Sequence, residues 1–153
     1  MPFSRRAALV SSLLAVAPAL AGMGGQPELI AATIAGNIAE VHRSLKGGAF
    51  VDTEDRLRNT ALIFASRDGL VEIVDLLIAY GAALDHRDAE GVTPLIIAAH
   101  RGHEQVVAKL LAAGARTDIS DKRGLRAIDY ARRHGADSPV ARLIAGAQAG
   151  SRP

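Results

Sequence analysis

The chain has 153 residues, 49% of them apolar and 22% charged, so it is the size of one ordinary domain and is not disordered throughout. Aromatics reach only 3%, which favours a core of Ala, Leu, Ile and Val in short helices over a β-sandwich, and the absence of Cys excludes a disulfide framework, a thiol nucleophile and a thiolate metal site. Basic residues number 18 against 16 acidic ones, but two of the 18, Arg5 and Arg6, fall in a removable leader, so the remainder is neutral and a bulk electrostatic case for nucleic acid or membrane binding fails.

Residues 1–21 read as an export signal. Arg5 and Arg6 form the positive n-region, Ala7 to Val16 is an apolar run holding only Ser11 and Ser12, and Pro18 breaks it. Ala19-Leu20-Ala21 places small residues where signal peptidase reads, so cleavage is expected after Ala21. The run is shorter than the roughly 20 residues of a membrane span. The competing reading is a buried first helix, but Gly22-Met23-Gly24-Gly25 would detach it. Ser4-Arg5-Arg6-Ala7-Ala8-Leu9 also resembles a bacterial twin-arginine signal without its usual Phe, which leaves the route open between that and general secretion. The expected destination is the periplasm of a Gram-negative bacterium or the medium. Residues 22–26 form a linker.

From residue 27 the chain repeats with a period of 33. Gly36, Gly69, Gly102 and Gly135 keep that spacing, as do Gly48, Gly81 and Gly114. Asp52, Asp85 and Asp118 form another register, and Asp55, Asp88 and Asp121 another. Gly91 and Gly124 share a place that Arg58 fills one unit earlier. The repeats span about 27–59, 60–92, 93–125 and a truncated 126–146, followed by a flexible tail, 147–153. Each predicts helix, turn, helix and an extended loop. In the third, Thr93 suits an N-cap and Pro94 the first helical position. Leu95, Ala98 and Ala99 keep helical spacing to Gly102, a C-cap candidate. Val106, Val107, Leu110 and Leu111 make the stripe of the second helix. The second unit repeats this from Thr60 to Ala82, and in the fourth Ser138-Pro139 restarts a helix carrying Val140, Leu143 and Ile144.

Asp88-Ala89-Glu90-Gly91-Val92-Thr93-Pro94-Leu95, then Ala98-Ala99, Gly102-His103, Val106-Val107, Leu110-Leu111 and Gly114-Ala115, resembles the ankyrin-repeat pattern nearly throughout. The resemblance implies an all-α solenoid of helix-turn-helix units joined by β-turn or hairpin loops. It departs where the family has His two residues after Pro: Ile63, Ile96 and Asp129 stand there, so that hydrogen bond is absent or rearranged. One unit cannot bury its own stripe; stacked units share a core and the end units need polar outer faces.

Chemical candidates are weak. His100, His103 and Glu104 have partial zinc-site spacing, but Gly102 separates the helices, and His103 sits where the family commonly has a structural His. His42, His86 and His134 read as surface residues. Ser120 and Ser138 lack a His–Asp context, and the Gly residues are periodic rather than clustered as a phosphate loop requires. Asp85-His86-Arg87-Asp88 reads as a solvated turn. No catalytic residue, metal or cofactor is expected.

What remains is a surface. In the resembled family, partners meet the loop tips and the exposed ends of the first helices, on one concave side. Here those positions are Arg56, Leu57, Asn59, Arg67 and Asp68; then Ala89, Glu90, Val92, His100 and Arg101; then Lys122, Arg123, Leu125, Arg133 and His134. Residues 28–90 carry 11 acidic and 6 basic side chains, a balance of −5, and residues 91–153 carry 5 and 10, a balance of +5. Such polarity orients an approaching partner and raises the association rate. The expectation is an exported, monomeric docking protein for another protein, with no nucleic acid and no stable membrane insertion, supporting an exported redox or detoxifying enzyme. The alternative is an immunity-like or effector protein for a foreign target, and the least favoured reading is a metal-dependent hydrolase using His100, His103 and Glu104.

Overall fold

The computed structural model describes residues 26–150; the expected leader and its cleavage point lie outside the described residues. These form α1 (Gln26–Ile34), α2 (Ile38–Lys46), α3 (Ala61–Asp68), α4 (Val71–Ala79), α5 (Pro94–Arg101), α6 (Glu104–Ala113), α7 (Ala127–Ala131), a 3-10 turn (Arg132–His134) and α8 (Pro139–Gly150). The helices pair as α1–α2, α3–α4, α5–α6 and α7–α8. The first members pack on one another as an inner row, and the second members as an outer row. The expected all-α solenoid is what forms. Among the described residues no strand develops; a single bridge pairs Ser120 with Arg126.

Local chemistry sets each inner helix. The Thr60 and Thr93 hydroxyls accept from the amides of Ile63 (3.4 Å) and Ile96 (3.2 Å), satisfying donors that a helix start leaves open. Gly69 and Gly102 close the helices at φ 71° and 75°, left-handed values that favour glycine. In the fourth unit Arg126 replaces the capping Thr, and the Asp129 carboxylate accepts from the Arg126 amide (2.8 Å) instead.

The core runs between the two rows. Leu62, Leu77, Leu95, Leu110 and Ile144 are fully buried within it. Burying such a side chain contributes about 1.5–3 kcal/mol. Ile63 and Ile96, which depart from the family His, are buried too. Other residues join the units. The Nε2–H groups of His86, His103 and His134 donate to the carbonyls of Arg58 (2.9 Å), Arg67 (2.9 Å) and His100 (2.8 Å), each in the preceding unit. Asp52 and Asp85 accept from the amides of Ala83 and Arg116, both at 2.8 Å. Asp118, third in that register, is exposed and pairs with Arg116, and the place 31 residues on from it, Ala149, lies in α8 rather than in a hairpin.

Two expectations need correction. The expected tail begins inside a helix: α8 continues to Gly150, with Ala145, Ala147 and Ala149 favouring helix across Gly146 and α8 packing on α6. His86 and His134 are not plain surface residues but ties between units.

Candidate partner-binding surface

The period places like positions in rows. Ile34, Arg67, His100 and Arg133 are one row along the ends of the inner helices, and Asp68, Arg101 and His134 the next. Arg56, Ala89 and Lys122 line up on the hairpin tips, followed by Leu57, Glu90 and Arg123. Each tip is shaped by its Asp. Asp55, Asp88 and Asp121 each accept two amides of their own loop, from Leu57 and Asn59, Glu90 and Val92, and Arg123 and Leu125, at 2.8–3.0 Å. This folds a turn, and the third tip adds the Ser120–Arg126 bridge. Adjacent tips are tied by the Ala89 amide on the Leu57 carbonyl (2.9 Å) and the Lys122 amide on the Glu90 carbonyl (3.0 Å).

Tips and helix ends meet over the third and fourth units. Glu90, Val92, His100, Asp121, Arg123, Tyr130 and Arg133 enclose a hollow of about 220 Å³. Tyr130 is its fixed floor. Its hydroxyl donates to Asp121 (2.5 Å), the His100 ring lies 4.9 Å from its ring, and the Arg133 guanidinium stacks 4.7 Å over it. Burial pushes the Asp121 pKa up, but the Tyr130 hydroxyl and the Leu125 and Arg123 amides outweigh that and hold it below the ordinary carboxylate value. The same bond raises the Tyr130 phenol. His100 is held below its usual value by partial burial first, then by the charges of Arg101, Arg133, His134 and Arg123, so its ring is neutral at pH 7.

Of the residues predicted from sequence, Glu90, Val92, His100, Arg123 and Arg133 meet at this hollow, with Arg101 and His134 close enough to act on His100. Lys122 lies on the rim, 3.9 Å from Glu90. The second unit differs: Arg67 stacks 4.8 Å over Phe64 but is bound through both Nε (2.8 Å) and Nη2 (3.0 Å) to Asp68, which neutralises the pair. That hydrogen bond, more than any other cause, keeps the Asp68 pKa low. Arg56 and Leu57 are exposed. Four of the predicted residues serve the scaffold. Asn59 donates to both oxygens of Asp55 (3.2 and 3.0 Å), Val92 and Leu125 pack against the core, and His134 is the tie to His100. Ala89 contributes through its backbone.

Sequence reasoning missed Phe64, Tyr130 and Asp121 as parts of the surface. Phe64 and Tyr130 share one register, with Ile97 between them, and an apolar ring in a repeat register looks like core until its polar neighbours are known. His100 and His103 point to different partners, Tyr130 and the Arg67 carbonyl. Among the described residues no three His, Asp or Glu side chains gather as a metal ion would require, and no helix is long and apolar enough to cross a membrane.

Comparison with curated proteins returns no match. The family pattern described as ankyrin repeats (3 copies) matches residues 29–123 and 72–152, together most of the chain. The stacked helix pairs, the Thr-initiated and Gly-terminated inner helices and this match agree: the chain belongs to the ankyrin-repeat family and is a protein–protein interaction module.

Proposed function

We propose that the protein is a non-catalytic docking protein that works after export, holding one partner protein on the face where hairpin tips meet inner helices. The observation that carries this is the hollow beneath Arg123 and Arg133, where a rigid aromatic floor and free cationic groups stand together at an exposed surface. Rigid aromatics beside arginine are the groups that dominate binding energy at protein interfaces. The polarity of the chain, acidic before residue 90 and basic after it, supports oriented capture. The periplasm is the proposed compartment, from the Arg5-Arg6 leader, and an exported redox or detoxifying enzyme is the proposed partner, from the twin-arginine likeness of that leader.

Pull-down from periplasmic extract with the mature protein tests the docking role. One specific protein is expected, and Arg123→Glu should release it with the circular dichroism spectrum intact. Recovery of nothing specific at low and high salt would overturn the reading. Cell fractionation tests export: the wild type is expected in the periplasmic fraction, and retention in the cytoplasm by Arg5→Lys, Arg6→Lys would assign the twin-arginine route. A wild-type protein found only in the cytoplasm would refute export.

A further inference from the structure

We propose that the hollow over Tyr130 receives an aspartate or glutamate side chain from an extended segment of the partner protein. This rests on the docking reading and names what that face recognises.

The argument begins with which charges are already answered. Along the units, Arg43, Arg58, Arg67, Lys109, Arg116 and Arg126 each have a carboxylate within 4 Å. Among the described residues, Arg101, Arg123 and Arg133 have none; Lys46, Arg56, Arg87, Arg132 and Arg142 have none either, but it is Arg101, Arg123 and Arg133 that lie close enough to His100 to depress its protonation. Two acidic groups face the hollow. Glu90 is met by Lys122 at 3.9 Å. Asp121 has both oxygens engaged, one by the Arg123 and Leu125 amides and the other by the Tyr130 hydroxyl. Among the described residues, neither is hydrogen-bonded to the Arg123 or Arg133 guanidinium, and with Arg101 and Lys122 counted the local sum is positive. A neutral His100 adds a ring N–H without adding charge.

Geometry narrows the ligand. Arg133 is pre-oriented by its stacking on Tyr130, so little freedom is lost when its planar donors meet a carboxylate. The hollow, about 220 Å³, has room for one side chain, and Val92 and the Tyr130 ring give it apolar walls that suit a methylene stem. A nucleic acid strand is disfavoured, because its uniform negative charge would continue onto the acidic first half of the chain. A protein segment can be acidic at one end only. It would set that end over Arg123 and Arg133 and its apolar end toward the exposed Leu57 and Ile34.

The test is selection of random dodecapeptides displayed on phage against the purified full chain. Enriched sequences are expected to share one Asp or Glu at a fixed position. A fluorescein-labelled peptide of the enriched sequence should lose at least about tenfold in affinity when that residue becomes Asn or Gln, the loss expected for a charge-assisted hydrogen bond. Arg133→Glu should cause a similar loss, and Arg133→Gln, milder to folding, a smaller one. Arg142→Glu makes the same charge change on the outer helix α8 and should stay within about twofold. Enriched peptides lacking an acidic residue, no enrichment, or an equal loss in Arg142→Glu would each overturn the proposal. If pull-down still recovers a partner that Arg123→Glu releases, the docking reading stands and only the acidic specificity falls.

Discussion

Asp121 holds two loop amides and a phenol with one carboxylate, and Asp55 does the equivalent with Asn59 and the Leu57 amide. Burial works to raise the Asp55 pKa, and the Asn59 side chain and loop amides overcome it, so both folded-state pKa values lie below that of the unfolded chain. A depressed carboxylate stabilises fully above its unfolded value of about 4 and loses that contribution as pH falls through the folded value. Melting temperature should therefore be level from neutrality to about pH 5 and fall below about pH 4, and Asp121→Asn should lower it at pH 7 while flattening the acid limb. Ser66 is the opposite case. Its buried hydroxyl has no hydrogen-bond partner among the described residues, whereas Thr33, in the same register, donates to Leu29 at 2.8 Å and the next unit has Ala99. Ser66→Ala should stabilise by about 1 kcal/mol in denaturant titration, since an unsatisfied buried polar group costs about 1–3 kcal/mol. Arg58 occupies the left-handed place of Gly91 and Gly124, at φ 63°. Its carbonyl, not its side chain, ties His86, so Arg58→Gly should raise stability by up to about 1 kcal/mol, as relief of strain slightly exceeds the entropy cost of glycine.

At the scale of the element, α3 and α5 each end on a glycine that also fits against the next unit. A methyl group on Gly69 would lie 2.8 Å from the His103 ring, and one on Gly102 would lie 3.5 Å from the His134 ring. Both positions bear the left-handed penalty, but only the first also displaces the imidazole that ties α3 to the following unit. Gly102→Ala should cost about 1–2 kcal/mol and Gly69→Ala about 2–4 kcal/mol, read from thermal unfolding. Equal losses would mean that backbone strain alone sets the requirement. The period of 33 predicted these helix ends, because left-handed φ is a property of one residue and its chain direction. It did not predict the ties from His86 and His134, although His103 stood where the resembled family has a structural His. Such ties depend on a side chain crossing to a carbonyl 28 to 36 residues away, and His134 reaches its partner from a truncated unit that is out of register with His103.

For the molecule as a whole, no unit is self-sufficient. Residues 126–150 cover α5 and α6 with Ile128, Val140 and Ile144, all buried. Deleting residues 126–153 should lower the melting temperature by more than 10 °C, on the order of what several kcal/mol implies for a domain of this size, and should broaden the transition. A chain that kept its melting temperature would show that the first three units fold independently of the last.

The sequence by itself determined the repeat length, the start and stop of the inner helices, the apolar stripes and the polarity of charge, because each follows from local backbone preference or from simple order along the chain. Only the tertiary structure decided which predicted surface residues are available. Asn59, Leu125 and His134 are taken up by the scaffold, Val92 is shared between core and hollow, and Arg123 and Arg133 are left facing a hollow floored by Tyr130. The physical reason is that availability depends on what a neighbouring unit brings within hydrogen-bonding or packing distance, and that distance is set by stacking rather than by spacing along the chain.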